Sequence, residues 1–166
     1  MKVRDVMTKS VASCHPQTNL AAAGELMWES DCGVLPIVDE RNRVIGMLTD
    51  RDTCIALTTR DRRASIVTAG EAATMPAQVC HADDDVRSAL QLMRKERIRR
   101  VPVVNKTGML EGIVSLNDIV LKAEKPDGRR YPEVSFDDIM ETLKVICAHP
   151  SERHRGAAHS ETRTAA

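Results

Sequence analysis

The same order of apolar and polar positions occurs twice along this 166-residue chain. Each copy opens with a short stretch that predicts a strand, Val11–Cys14 in the first copy and Gln78–Cys80 in the second. Apolar residues at helical spacing follow and predict an amphipathic helix, which begins near Thr18 or at the acidic run Asp83–Asp85. The apolar positions of these two helices are Leu20, Ala23, Leu26, Met27, Val86, Ala89, Leu90, Leu92 and Met93.

The second half of each copy also has a common pattern. A strand begins at a proline, at Pro36–Val38 and at Pro102–Val104, and a polar turn separates it from a third strand. Each third strand leads directly into the start of a second helix. The third strands and the helix starts are Val44–Leu48, Leu110–Val114, Thr49 and Ser115.

The two copies, residues 3–57 and 69–123, align without a gap at an offset of 66 residues. A single strand–helix–strand–strand–helix unit cannot easily bury its apolar face, so the two copies should pack together about a pseudo-two-fold axis. The predicted fold class is therefore α/β (α+β). It consists of two tandem β-α-β-β-α repeats and one additional helix near the C-terminus.

We place the repeats at residues 1–65 and 66–125, and the composition of residues 126–134 predicts a linker. An amphipathic helix is predicted over residues 135–149, followed by a flexible polar tail over residues 150–166. The apolar stripe of that helix must be covered either by the tandem repeats or by a second subunit. The stripe consists of Phe136, Ile139, Met140, Leu143, Ile146 and Cys147.

The composition argues against several classes of protein. Lys plus Arg and Asp plus Glu both number 24, and this balance argues against binding to nucleic acid or to an anionic membrane. No run of 18 apolar residues predicts a membrane span, and the first residues do not resemble a signal peptide. The five cysteines form no Cys-x-x-Cys pair, so we expect a reducing, cytoplasmic environment.

Several short motifs recur at the same offset, and together they resemble a tandem pair of CBS (cystathionine β-synthase) domains, a Bateman module. The resemblance covers residues 1–123, and it departs from the family pattern at Ala69–Thr74, where the usual Met-Thr is replaced. The motifs that carry it are Val3–Thr8, Leu35–Asp39, Gly46–Asp52, Arg99–Val104 and Gly112–Asp118.

This resemblance implies that an adenine-containing ligand (AMP, ADP, ATP, NAD or S-adenosylmethionine) binds in a cleft between the repeats, with no cofactor required. In the family's motif, the Asp52 or Asp118 carboxylate accepts hydrogen bonds from the ribose hydroxyls. The hydroxyls of Thr49 and Ser115 lie at a helix start, whose free N–H groups suit a phosphate. The other contacts that the resemblance implies are Val34, Leu35, Met47, Val101, Ile113, Asn117, Lys9, Ser10 and Val11.

The two copies differ where a phosphate should bind. Arg99 and Arg100 hold the family's phosphate-facing positions in the second copy, whereas Gly33 and Val34 hold them in the first. The two clefts should therefore differ in their affinity for a phosphorylated ligand, although the sequence leaves open which cleft the arginines face. The preceding charges at Arg94–Arg97 are typical of a solvated helix face.

Two other interpretations of the repeated residues stay open. Thr49 with Asp52, and Ser115 with Asp118, also match the capping box of a helix start. The repeated Cys-His pairs, which begin at Cys14 and Cys80, suggest a metal site. Strand alternation would instead bury the thiols and turn the imidazoles to the opposite side, so we expect no metal.

No nucleophile elbow, P-loop or His-Glu-x-x-His motif occurs, so we predict no enzyme. The predicted function is a stand-alone regulatory module that binds an adenine nucleotide and signals to a partner protein, which the sequence leaves unknown. The alternative is a ligand-free dimeric interaction scaffold. Apolar helix surface in so small a unit predicts a homodimer, and the zero net charge makes a nucleic-acid binder the weakest hypothesis.

Overall fold

The computed structural model describes residues 1–125 and 132–148. The first half of the chain contains a 3₁₀ turn at Val3–Asp5 and then β1 (Thr8–Lys9), α1 (Leu20–Glu29), β2 (Val34–Val38), β3 (Val44–Thr49) and α2 (Asp50–Arg60). The second half contains α3 (Ala69–Ala72), β4 (Cys80–His81), α4 (Val86–Glu96), β5 (Arg100–Val104), β6 (Leu110–Ser115), α5 (Leu116–Val120) and α6 (Phe136–Cys147).

These elements confirm the predicted mixed fold, and the side chains that begin the helices explain where they start. Asn19 caps α1 and Asp85 caps α4, each by accepting a hydrogen bond from a backbone N–H of the first turn. The prediction of a strand over Val11–Cys14 was wrong in extent. Only Cys14 pairs there, as a single parallel bridge to Ile37, because residues 11–13 have left the sheet of their own repeat.

The strands form two sheets that meet near the pseudo-two-fold axis. The first sheet is the antiparallel pair β2–β3, and the second has the order β1-β6-β5-β4. Between the sheets, Arg43 forms an antiparallel bridge with Met109, its equivalent at the offset of 66 residues. Two symmetry-equivalent residues can pair with each other only across the symmetry axis. The starts of β3 and β6, which directly follow Arg43 and Met109, therefore lie side by side at this axis.

The segment that precedes each repeat packs against the other repeat. The side chain of Val3 is fully buried in the core of the second repeat, and that of Val67 in the core of the first. The Val3 N–H donates to the Asp84 carbonyl at 3.0 Å, and the symmetry-related Ala69 N–H donates to a carbonyl of the first repeat at 2.7 Å. The two repeats therefore exchange their leading segments, and neither repeat has a complete core without the other.

Glycine is required where these leading segments cross the sheets. A Cβ on Gly112 would lie 2.5 Å from the carbonyl oxygen of Thr8, which β1 brings against β6. A Cβ on Gly46 would lie 3.2 Å from the carbonyl oxygen of Thr74, which bridges to Met47 on β3. The glycine of each motif therefore provides the space for the leading segment that forms one side of the adjacent cleft.

Helix α6 covers the helical face of the second repeat. Its buried Ile139 belongs to the core of that repeat, with Leu143 and Ile146 packed against it. On α4, Arg94 donates to the Glu141 carboxylate at 3.0 Å and to the Thr142 hydroxyl at 3.4 Å. The second repeat thus covers only the part of the stripe formed by Ile139, Leu143 and Ile146, whereas Phe136, Met140 and Cys147 are exposed. Arg94 contacts a neighbouring helix instead of lying on the predicted solvated face.

The segment leading into α6 is partly ordered by pairing. Glu124 forms a parallel bridge with Ser135, and the side chain of Val134 is 1% exposed. Most of the predicted linker and the predicted tail over residues 150–166 lie outside the described residues. No helix in the described part of the chain is long and apolar enough to cross a membrane.

Candidate functional site

A cleft of about 580 Å³ lies where the two repeats meet, and we call it cleft 1. The first repeat contributes the ends of β2 and β3 and the start of α2. The second repeat contributes its leading segment, residues 74–78, and the segment that joins α4 to β5. Six of the predicted ligand-binding residues line it: Val34, Met47, Thr49, Asp52, Arg99 and Arg100.

At the start of α2, Thr49 and Asp52 form a capping box. The Thr49 N–H donates to Asp52 Oδ2 at 3.0 Å, and the Asp52 N–H donates to Thr49 Oγ1 at 3.1 Å. The Thr49 hydroxyl also donates to the same carboxylate oxygen at 2.7 Å. Asp52 Oδ1 makes no hydrogen bond with the part of the chain that the structure describes. Capping therefore leaves one oxygen of this carboxylate for a ligand.

The second repeat has the same arrangement at the start of α5. The Ser115 N–H donates to Asp118 Oδ2 at 2.9 Å, and the Asp118 N–H donates to the Ser115 hydroxyl at 3.2 Å. Both repeats therefore contain the helix capping box that the sequence left open as an interpretation. A ligand contact would be added to the cap without replacing it.

The segment between α4 and β5 brings three arginines to cleft 1. Arg97 ends α4 in the left-handed conformation, with φ of 56°, which turns the chain toward the cleft. Arg99 and Arg100 follow, so the side chains that the sequence could not assign to a cleft line the one that contains Asp52. Arg51 also lines the cleft, as do Asp50, Asp52 and Glu96, so the lining contains four guanidinium groups and three carboxylates.

Two of the predicted apolar contacts lie in the cores. The side chains of Leu35 and Val101 are both 0% exposed, because alternation along β2 and β5 turns them away from the cleft that their neighbours line. Val34 is the neighbour of Leu35 that lines cleft 1. These two buried side chains therefore offer no accessible surface to an adenine ring.

The other predicted residues lie around the symmetry-related position, which we call cleft 2. There β1 runs beside β6, with Thr8 opposite Ile113 and Lys9 opposite Gly112. The members of this group are Lys9, Ser10, Val11, Ile113, Ser115, Asn117 and Asp118. At the offset of 66 residues, Asp31 and Gly33 are the equivalents of Arg97 and Arg99. Both line a pocket beside Trp28 and Asp50.

Several residues of cleft 1 escaped the sequence analysis. The leading segment of the second repeat contributes Thr74, Pro76, Ala77 and Gln78, which belong to this cleft only because the leading segments are exchanged. The copy-to-copy alignment could have indicated them, because Ser10 and Val11 have equivalents at positions 76 and 77. Ile146 also lines the cleft, and no repeat-based signal could have indicated it, since α6 has no counterpart in the other copy.

The repeated Cys-His pairs have different surroundings from those of a metal site. Burial raises the pKa of the Cys14 thiol to about 11, and burial together with the Asp84 charge raises that of Cys80 to about 12. The two thiols lie in separate cores, while His81 turns outward and its Nδ1 lies 3.0 Å from the Val104 carbonyl oxygen. Among the described residues, no three His, Cys, Asp or Glu side chains are grouped so as to hold a metal ion.

The family model described as "CBS domain" matches the chain twice, over residues 3–58 and 69–125. The chain belongs to the CBS-domain family. Hypoxic response protein 1 of Mycobacterium tuberculosis is 33% identical to this CBS pair over 145 residues, which are 87% of this chain and 93% of the relative. The similarity is therefore not confined to the repeat motifs but covers nearly the whole length of this relative.

Solved structures of CBS pairs have the same fold. Hypoxic Response Protein I, with two coordinated zinc ions, gives a TM-score of 0.68 at 34% identity, covering 75% of this chain and all of the other. The CBS pair of protein MJ0100, in complex with 5-methylthioadenosine and S-adenosyl-L-methionine, gives 0.67 at 28% identity over 73% and 94% of the two chains. CBSX2 of Arabidopsis thaliana, in complex with AMP, gives 0.63 at 26% identity over 72% and 93%.

Zinc ions are a feature of Hypoxic Response Protein I as it was solved. The described residues contain no grouping of His, Cys, Asp or Glu that fits such an ion, and the repeated thiols are buried apart from each other.

Proposed function

We propose that this CBS pair is a non-catalytic regulatory module that binds a phosphorylated adenosyl ligand such as AMP in cleft 1. One observation carries the proposal: Asp52, the leading segment of the second repeat and the arginine segment Arg97–Arg100 all line the same cleft. A volume of about 580 Å³ is within the usual range of roughly 300–1,000 Å³ for small-molecule sites. AMP in CBSX2 and adenosyl ligands in MJ0100 support the ligand class.

Each part of the ligand has a matching surface in cleft 1. Val34 and Met47 offer apolar side chains to the adenine ring. The free oxygen of Asp52 accepts hydrogen bonds from the ribose hydroxyls. Arg97, Arg99 and Arg100 present guanidinium donors to the phosphate.

Cleft 2 offers a different set of charges. The positions equivalent to Arg97 and Arg99 are held by Asp31 and Gly33, so the first repeat has no arginine there to bind a phosphate. We propose that cleft 2 takes an adenosyl compound without a phosphate, held through Asp118. Ligands of both kinds can then be tested on one protein by thermal shift with AMP, ATP, NAD and S-adenosylmethionine.

Asp52→Ala should reduce AMP affinity at least tenfold, because hydrogen bonds to a charged group contribute about 1.5–3 kcal/mol. It should also lower the free energy of unfolding by about 1 kcal/mol, since the capping box is lost. Asp52→Asn keeps an oxygen for the cap but removes the charge, so it should separate affinity from stability. Titration calorimetry and chemical denaturation measure the two quantities.

Asp118→Ala is the matched control, because it removes the same capping box from the other repeat. Its stability should fall by a similar amount while AMP affinity at cleft 1 is retained. If Asp52→Ala loses stability but binds AMP as tightly as the unaltered protein, Asp52 is only a helix cap and the proposed site is wrong.

We further propose that the protein forms a homodimer through the helices of its first repeat. On α1, the side chain of Trp28 is 86% exposed, and Ile55 on α2 is 47% exposed. The equivalent face of the second repeat packs against α6, whereas no counterpart of α6 covers α1 and α2 among the described residues.

Light scattering should therefore return twice the chain mass of 18.3 kDa across micromolar concentrations. Trp28→Asp should return a monomer, because it places a charge in the apolar contact. Phe136→Asp, an equally drastic change on the exposed side of α6, should stay dimeric. A monomeric unaltered protein would contradict the dimer and weaken the alternative of a ligand-free dimeric scaffold with it.

A further inference from the structure

The C-terminal end of α6 lies at the mouth of cleft 1. Ile146, in the last turn of the helix, lines the cleft. Arg97 donates a hydrogen bond from Nη2 to the carbonyl oxygen of Ala148, the residue that ends the helix. Arg99 Nη2 lies 3.9 Å from the sulfur of Cys147. Two of the three cleft arginines between α4 and β5 therefore already contact α6.

These contacts have a simple electrostatic basis. The last carbonyl groups of a helix have no partner within the helix, and they carry the negative end of its dipole. Cationic side chains next to such an end are stabilising, commonly by about 0.3–1 kcal/mol at an exposed site. Arg97 thus acts on the end of α6 as it would act on the phosphate of a ligand in cleft 1, and Arg99 lies beside the same helix end through its contact with the Cys147 sulfur.

We propose that α6 responds to the occupancy of cleft 1: a phosphorylated ligand draws Arg97 and Arg99 away from Cys147 and Ala148 and releases the last turn of the helix. This inference rests on the function proposed above for cleft 1. It identifies α6 as the element whose structure changes when a ligand binds.

Competition follows from the relative strength of the two partners. A phosphate carries a full negative charge and accepts charge-assisted hydrogen bonds, whereas a helix-end carbonyl carries only a partial charge. Both partners require the same Nη2 groups, and a phosphate beside the negative end of the helix also repels it. The arginines should therefore favour the phosphate when it is present.

The release is confined to the end of the helix. At its start, Ser135 and Asp138 form a capping box, and the side chain of Ile139 is 6% exposed in the core of the second repeat. Arg94 holds Glu141 near the middle. Only the last turn depends on the cleft arginines, and loss of its contacts would uncover Ile146. The change thus alters an apolar surface next to the ligand.

Hydrogen–deuterium exchange tests the first half of this coupling in the intact protein. With saturating AMP, the amides of residues 143–148 should exchange faster, while those at the start of α6 keep their protection. With saturating adenosine, which lacks the phosphate, residues 143–148 should exchange as in the free protein. Slower or unchanged exchange with bound AMP would overturn the inference.

Reciprocity gives the second half of the test, because binding couplings act equally in both directions. Leu143→Ala weakens the packing of the last turns of α6 against the second repeat without touching cleft 1, so it should raise AMP affinity by about fivefold, the low end of common couplings. Adenosine affinity should not change. Met140→Ala, on the exposed side of the same helix, is the control and should leave both affinities unchanged.

The outcomes separate this inference from the function on which it rests. If AMP does not bind the unaltered protein, the proposed function falls and the inference with it. If AMP binds the unaltered protein but Leu143→Ala lowers AMP affinity or leaves it unchanged, only the inference is wrong. Glu141→Gln, which removes the Arg94 ion pair, repeats the affinity measurement in case Leu143→Ala does not fold.

Discussion

Replacing Arg99 and Arg100 together by alanine should lower AMP affinity by about 100-fold while adenosine affinity changes less than about threefold. Each charge-assisted hydrogen bond to a phosphate is worth roughly 1.5–3 kcal/mol, and solvent at these exposed side chains keeps the pair near the low end. The loss should shrink in high salt, because screening removes the attraction being measured. Titration calorimetry at two salt concentrations measures the loss of AMP affinity and its dependence on salt.

A matched double variant controls for the change in net charge. Arg41→Ala with Lys106→Ala removes two positive charges from exposed positions outside cleft 1 and should leave AMP affinity nearly unchanged. If AMP and adenosine lose affinity equally in the Arg99 and Arg100 variant, the arginines do not contact a phosphate. Cleft 1 would then lose its best-localised ligand contact.

Leu35→Ala should lower the free energy of unfolding by about 3 kcal/mol, within the 2–5 kcal/mol typical of a buried leucine replaced by alanine. The side chain is 0% exposed in the core of the first repeat, next to Leu20 and Ile37, so its removal leaves a cavity. Chemical denaturation measures the loss. Under conditions in which the variant is folded, its AMP affinity should equal that of the unaltered protein.

Val34→Ala, one residue earlier on β2, is the matched comparison. Its side chain faces cleft 1, so its removal should weaken AMP by a few fold and cost less stability than Leu35→Ala. A large affinity loss in Leu35→Ala with little loss of stability would contradict the structure. It would restore the family-based expectation that Leu35 contacts adenine.

The exchange of leading segments explains why the site belongs to the pair and not to either repeat. Cleft 1 needs Asp52 and Val34 from the first repeat, Thr74 and Gln78 from the leading segment of the second, and Arg99 from the second repeat itself. The same exchange buries Val3 and Val67 in the partner repeats' cores. Any ligand in the cleft therefore contacts both repeats and can alter how they are held together.

Much of the fold could be predicted because it depends on local and repetitive signals. The strand–helix–strand–strand–helix order follows from the period of apolar residues, and the helix starts follow from capping side chains such as Asp85, Ser115 and Ser135. Because the two copies align at an offset of 66 residues, each of these signals occurs twice in the chain. The motif carboxylates Asp52 and Asp118 were found in the same way.

The tertiary structure alone decided which parts of the two copies meet. Whether Arg99 faces Asp52 or Asp118 depends on a symmetry axis that no local pattern encodes, because both pairings satisfy the same spacing along the chain. Whether Leu35 or Val34 enters the core cluster of the first repeat, and which of them lines cleft 1, depends on which side of β2 that core lies. The role of Ile146 depends on where α6 docks, and its apolar stripe fits either a neighbouring repeat or a second subunit. Contacts distant in sequence decide each case, whereas the sequence pattern reports only what each segment buries and where it begins.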